Sequence, residues 1–260
     1  MSDIEIEKSG RVASIVINRP ERHNALDIAM IDEFHAALDQ VAADRHIRVL
    51  QIRARGLSFC AGADINWMRR MAEYDAASNI ADAKRLAGLF EKIAFMTVPT
   101  ICVVNGPAYG GGIGIVSACD FAVAAPTAEF VLSEVKLGLI PAVISPHIIR
   151  AIGVNAAKRL FLSGAKFGAV EAQRLGLLSD VVPAAELDTA VATLTKQLLE
   201  NAPEAMAEAK ELVQFVASRP LGREVIDGTA ERIAKRRASA EGKEGLTAFL
   251  EKRTPAWRKD

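Results

Sequence analysis

The chain has 260 residues, 50% hydrophobic and 25% charged, which is enough to bury a sizeable core and excludes a mainly disordered polymer. Its 32 basic and 32 acidic residues cancel, so no whole-molecule field steers it toward nucleic acid or an anionic membrane, and an anionic ligand must be held locally. No apolar run reaches the roughly 18 residues of a membrane span, and Cys60, Cys102 and Cys119 have neither metal-type spacing nor an even count, so they read as reduced packing residues of a cytoplasmic protein.

The opening MSDIEIEKSG alternates charged and apolar residues and lacks the apolar run of a signal peptide. Val12 to Ile17 reads as a buried strand, and Asp27 as the N-cap of a helix whose Ile31, Phe34, Leu38 and Val41 recur at helical spacing. Further strands are expected at Val49 to Ile52, Thr100 to Val104 and Phe121 to Ala125, with a helix from about Ala76 to Phe95 between the first two. From about Ala184 the strand signals vanish. Glu186 to Leu199, Pro203 to Val216 and Val225 to Ala238 follow as amphipathic helices, with Pro203 suited to a first turn. The expectation is an α/β core over residues 1–200 and a helical region over 201–260.

The segment VNGPAYGGGIG, Val104 to Gly114, sets three adjacent glycines between an apolar strand and a helix-like run. Residues without side chains allow backbone N–H groups to approach a ligand closely. A second small-residue turn lies upstream in FCAGADI, Phe59 to Ile65, so two segments each offer an N–H to one oxygen, the layout of an oxyanion hole. Competing chemistries lack their motifs. There is no dinucleotide fingerprint or Walker loop, no H-E-x-x-H, no G-x-S-x-G elbow, and the four histidines are scattered, so no metal site is expected. Glu134, inside FVLSEVKLGLIPAVISP, is the available acid or base, although one glutamate among many is by default a solvated one. Asp64 has a similarly plain alternative, an Asx hydrogen bond that holds its own turn.

The combination of NRPERHNAL (Asn18 to Leu26), FCAGADI, NGPAYGGGIG, LSEVKLGLIP and GLTAFLEKR (Gly245 to Arg253), in that order, resembles the crotonase superfamily of enoyl-CoA hydratases and isomerases. The resemblance implies a spiral of ββα units and a helical C-terminal region that builds homotrimers, often paired into homohexamers. It also implies an acyl-CoA substrate and no separate cofactor, coenzyme A being part of that substrate. The N–H groups of Ala63 and Gly111 would hold the thioester oxygen, with Ala61 and Gly110 beside them, and Glu134 would move the proton. Arg22 and His23 would contact the phosphates or pantetheine of CoA, and Phe249 and Lys252 its adenine end. Asp64, Ile65, Asn66 and Trp67 follow the first oxyanion turn, with Trp67 a packing wall of the pocket and Arg70 a partner for a substrate carboxylate.

The chain departs from the family pattern at Gly114, where typical hydratases carry the first of two glutamates. Three readings follow. The tract SEVKLGLIPAVISP with GGGIG looks most like a bacterial subgroup that hydrates methylglutaconyl-CoA or isohexenylglutaconyl-CoA in leucine and acyclic terpene breakdown. In that case the space left by Gly114 admits substrate or water, and the substrate's own carboxylate orders the water. Alternatively, Glu134 alone shuttles a proton, as in the superfamily's isomerases, or the chain is a non-catalytic acyl-CoA-binding scaffold. His147, in the ISP loop, reads as structural.

Overall fold

The computed structural model describes residues 2–258. In chain order the elements are β1 (Ile4–Ser9), β2 (Val12–Ile17), α1 (Ile28–Ala43), β3 (Val49–Ala54), α2 (Ile65–Met71), α3 (Ala76–Ala94), β4 (Thr100–Val104), β5 (Ala108–Tyr109) and α4 (Gly111–Ala118). There follow β6 (Phe121–Ala124), β7 (Glu129–Val131), α5 (Ser145–Ser163), β8 (Lys166–Gly168), α6 (Ala169–Leu175) and β9 (Asp180–Val181). The helices α7 (Leu187–Leu199), α8 (Pro203–Ala217), α9 (Arg223–Ala238) and α10 (Ala240–Leu250) complete the chain.

The larger sheet runs β1-β2-β3-β4-β6-β9. Only the β1–β2 hairpin, closed through Gly10 at φ 56, is antiparallel; the remaining pairs are parallel. Helical crossovers cover such strands, and β4 is buried at every position, which is why TICVV is uniformly apolar or small. Helix α1 starts where Asp27 accepts the Met30 N–H at 3.0 Å, and it buries Ile31, Phe34, Leu38 and Val41 on the face their spacing predicts. A smaller sheet, β5-β7-β8, pairs Tyr109 with Val131.

This topology positions the site. Strands β2, β3 and β4 are neighbours and point the same way, so the segments leaving their C-terminal ends, residues 18–27, 55–64 and 105–111, emerge on one edge of the sheet. Ligand sites in parallel sheets form at that edge. The chain divides into two compact units, with Thr100–Ala192 and the residues up to Met96 in one, and Thr97–Pro99 with the chain from Thr193 onward in the other, so the division falls inside α7. Among the described residues no helix is long and apolar enough to cross a membrane.

Candidate active site

The segment after β2 is held by polar side chains. Arg19 is 5% exposed, and its guanidinium reaches three aspartates: Asp3 at 3.1 Å, Asp27 at 2.7 Å and Asp64 at 2.9 Å. Two of these are the N-caps of α1 and α2. Asn24, fully buried at φ 56, accepts the Arg19 N–H and donates to the carbonyls of Arg55 and Ser58, binding this segment to the one after β3. Burial pushes the Asp64 carboxyl up, but the Asn66 N–H, Arg22, the Trp67 N–H and Arg19 outweigh it and leave the group below its ordinary value.

The two glycine turns are laced together through their backbones. Cys60 donates to the Pro107 carbonyl and accepts from Tyr109, and a Cβ built on Gly112 would stand 2.7 Å from the Cys60 carbonyl. At Gly62 the demand is conformational, since its φ of 92 disfavours side chains while a Cβ there would stand 3.4 Å from the Tyr109 carbonyl, an ordinary contact. Leu26 bridges to Ala63 in parallel fashion, donating to the Gly62 carbonyl at 2.7 Å and accepting from Asp64 at 2.8 Å. In that pattern the N–H of Ala63 itself faces away from Leu26. Gly111 opens α4, so its N–H has no carbonyl within the helix to bond. Neither amide has a hydrogen-bond partner among the described residues. Leu26 adjoins both residues, through its backbone bridge to Ala63 and through its side chain at Gly111, where a Cβ would stand 2.8 Å from Leu26 Cδ1.

Glu134 arrives by way of the smaller sheet. The Gly110 N–H donates to the Val131 carbonyl, and three residues beyond Val131 the chain enters a 3-10 turn, Glu134–Leu137. Gly110 has φ 46, and a Cβ on it would stand 3.2 Å from Glu134 Oε1. The other oxygen, Oε2, is buried and has no hydrogen-bond partner among the described residues. Burial raises the Glu134 pKa above its ordinary 4.5, opposed only by a backbone hydrogen bond. The arrangement is a desolvated carboxyl beside the glycine turn that presents the Gly111 amide, with helix α4 adding its positive end.

A cleft of about 380 Å³ is lined by Arg22, His23, Ala25, Ala61, Ala63, Asp64, Ile65 and Asn66, gathering seven residues singled out in the sequence. Within it, Arg22 pairs with Asp64 at 3.1 Å and His23 Nδ1 lies 3.1 Å from the Ser58 hydroxyl. Asp64 has the Asx role, since one oxygen accepts the Asn66 and Trp67 N–H groups and the other takes the two arginines. Trp67 is buried and donates from Nε1 to Asp82 on α3, which locks α2 against α3. Arg70 is exposed on α2. Phe249, 81% exposed near the end of α10, and Lys252, at φ 54, belong to the other compact unit.

One expectation is overturned. Gly114 leaves no space for substrate or water, because a Cβ there would stand 2.6 Å from Ile144 Cγ2 and 2.7 Å from two ring carbons of Phe90. The volume that a glutamate would occupy is filled by an apolar wall from α3 and the chain entering α5. His147 packs its ring edge-on against Phe90 at 6.2 Å between centroids, and burial together with Arg150 holds its pKa below the ordinary value. Sequence reasoning missed Arg19, Leu26, Phe90 and Ile144. Only Arg19 carried a signal, because Asp27 and Asp64 both stand at helix starts, and a half-buried and a buried carboxylate there call for a counter-charge.

The site brings two amides without partners among the described residues and one desolvated carboxyl to one sheet edge, and comparison with known proteins assigns the family. The chain matches the enoyl-CoA hydratase/isomerase family over residues 7–260 and belongs to it. The structure superposes on an enoyl-CoA hydratase from Shewanella pealeana with a TM-score of 0.96 and 42% identity, covering 98% of this chain and 96% of that one. Among curated relatives, the 2,3-dehydroadipyl-CoA hydratase of Escherichia coli K12 is 32% identical over 260 residues, 99% of each chain. An enoyl-CoA isomerase/hydratase of Mycosarcoma maydis is 33% identical over 263 residues, covering 97% of this chain and 94% of its own. The α/β crotonase fold and an enoyl-CoA hydratase or isomerase activity follow.

Proposed function

We propose that the protein hydrates an enoyl-CoA whose acyl group carries a second carboxylate, of the methylglutaconyl type. The thioester oxygen sits between the amides of Ala63 and Gly111. As water adds to C3, Glu134 takes its proton, the electron pair of the double bond moves toward the carbonyl, and the resulting enolate oxygen is held by the two N–H groups. Glu134 then returns the proton to C2, which restores its carboxylate and leaves a 3-hydroxyacyl thioester. Each amide is worth on the order of 3 kcal/mol of barrier, and general acid–base transfer about 10²–10⁴-fold in rate. The carrying observation is the buried, unpartnered Glu134 Oε2, on a carboxyl whose Oε1 lies 3.2 Å from a Cβ position on Gly110. A raised pKa suits a group that must both accept and release a proton near neutrality.

Support for the acidic acyl group comes from the relative named for 2,3-dehydroadipyl-CoA, a thioester of a dicarboxylic acid. With Phe90 and Ile144 against Gly114, this chain supplies no second carboxylate there to order the water, and the substrate's own carboxylate takes that part. Arg22 and His23 contact the CoA phosphates or pantetheine, and Phe249 and Lys252 its adenine end, in a homotrimer or a pair of trimers. The apolar wall also favours a second reading, double-bond isomerisation by Glu134 alone. Turnover of glutaconyl-CoA, crotonyl-CoA and a 3-enoyl-CoA decides between them. Hydration of glutaconyl-CoA well above crotonyl-CoA is the expected result, whereas migration of the 3-enoyl double bond without water addition overturns hydration.

A further inference from the structure

We infer that Arg19 is a positioning residue for the reaction, fixing the Ala63 amide through Asp64. The inference rests on the oxyanion role proposed for Ala63. Asp64 follows Ala63 directly, and its N–H and side chain are both committed: the N–H to the Leu26 carbonyl at 2.8 Å, Oδ1 to the first turn of α2, and Oδ2 to Arg19 at 2.9 Å. The same Arg19 grips Asp27, which follows Leu26 and caps α1, at 2.7 Å. The two residues whose backbones form the Leu26–Ala63 bridge are therefore each followed by an aspartate on one guanidinium. Any shift of α2 relative to α1 must stretch this clamp before it can rotate the Ala63 N–H. Arg19 spreads its three carboxylates over two nitrogens of a rigid planar fork, Nη1 to Asp3 and Asp27 and Nη2 to Asp64, a geometry that the single ammonium of lysine does not reproduce. A second hold on this frame comes from Asn24, which accepts the Arg19 N–H.

The test uses the full-length protein with cinnamoyl-CoA, a conjugated thioester whose absorbance moves to longer wavelength when hydrogen bonds polarise its carbonyl. Arg19→Lys and Asp64→Ser, the latter retaining a capping hydroxyl for α2, are compared with Asp3→Asn, which removes one ion pair of Arg19 but leaves those to Asp27 and Asp64 in place. The inference predicts that Arg19→Lys and Asp64→Ser reduce the red shift and lower kcat by roughly tenfold to a hundredfold, with smaller change in KM, because misplacement of about 1 Å has effects of that order. Asp3→Asn lowers only the melting temperature. A full red shift and wild-type kcat in folded Asp64→Ser or Arg19→Lys overturn the inference, as does a kcat loss in Asp3→Asn equal to theirs at equal loss of melting temperature. If Arg19→Lys does not fold, the pair Asp64→Ser and Asp3→Asn still decides. A wild-type protein that binds the probe without any red shift overturns the oxyanion reading itself and this inference with it.

Discussion

The two walls of the candidate site are built on opposite principles. On the side of residues 18–27 and 60–67, charges and hydrogen bonds are nearly all consumed internally: Arg19 holds three aspartates, Asp64 holds a helix start and two arginines, and Asn24 spans two segments. On the side of α4, Phe90, Ile144 and Glu134, Gly114 packs bare backbone against apolar groups, and the Glu134 carboxyl has an oxygen without a partner among the described residues. A carboxylate surrounded by donors is held ionised and inert, as the lowered pKa of Asp64 records, whereas one buried against glycine and apolar carbon is raised and left free to exchange protons.

The largest effect is expected from forcing the polar principle onto the apolar wall. Gly114→Glu must displace Phe90 and Ile144 and bury a charge, costing about 3–5 kcal/mol or more, so thermal denaturation should show a fall of roughly 10 °C or loss of folded protein. A folded variant with enhanced crotonyl-CoA hydration would break the contrast between the walls. Next, Asp27→Ala removes a cap and one arm of the Arg19 clamp, and should cost about 2–4 kcal/mol in denaturant unfolding. Because burial raises the Asp27 carboxyl but the Met30 N–H and Arg19 lower it further, that stabilisation is present above the ordinary carboxylate value and is lost as pH falls through the lowered one.

Glu134→Gln has the opposite pH signature. Its folded pKa lies above 4.5, so between the two values the folded chain retains a proton that the unfolded chain has released, and wild-type stability falls as pH rises through that window. The melting temperature of Glu134→Gln relative to wild type should therefore increase with pH, with no advantage below about 4.5. A constant difference across pH would show that the carboxyl is not desolvated. The smallest effect on stability, within about 0.5 kcal/mol, is expected for Phe249→Ser because its ring is 81% exposed. A raised KM for acyl-CoA with an unchanged melting temperature would mark it as a ligand contact.

Much of the frame was legible in the chain because its signals are local. The strands Val12–Ile17 and Thr100–Val104 have the expected bounds, β3 runs two residues beyond Ile52, and β6 stops one short of Ala125. Asp27 caps α1 as its position predicts. The short strands β5, β8 and β9 were not legible, since two or three residues carry no periodicity and exist only through their pairing. The same limit explains the site. The two glycine turns announce themselves by composition, but the placement of Glu134 depends on Tyr109 pairing with Val131, and the filling of the Gly114 position depends on Phe90 and Ile144 from distant segments. Arg19 is hard to read from the sequence because its three partners, Asp3, Asp27 and Asp64, lie far apart along the chain.

The central claim is that Glu134 transfers the proton while the Ala63 and Gly111 amides hold the thioester oxygen. Single-turnover hydration of glutaconyl-CoA by Glu134→Gln, with thioester binding measured in parallel, tests it most directly. The account predicts a rate lowered about 10²-fold or more at unchanged affinity. A variant that binds the thioester and hydrates it at near the wild-type rate would contradict it.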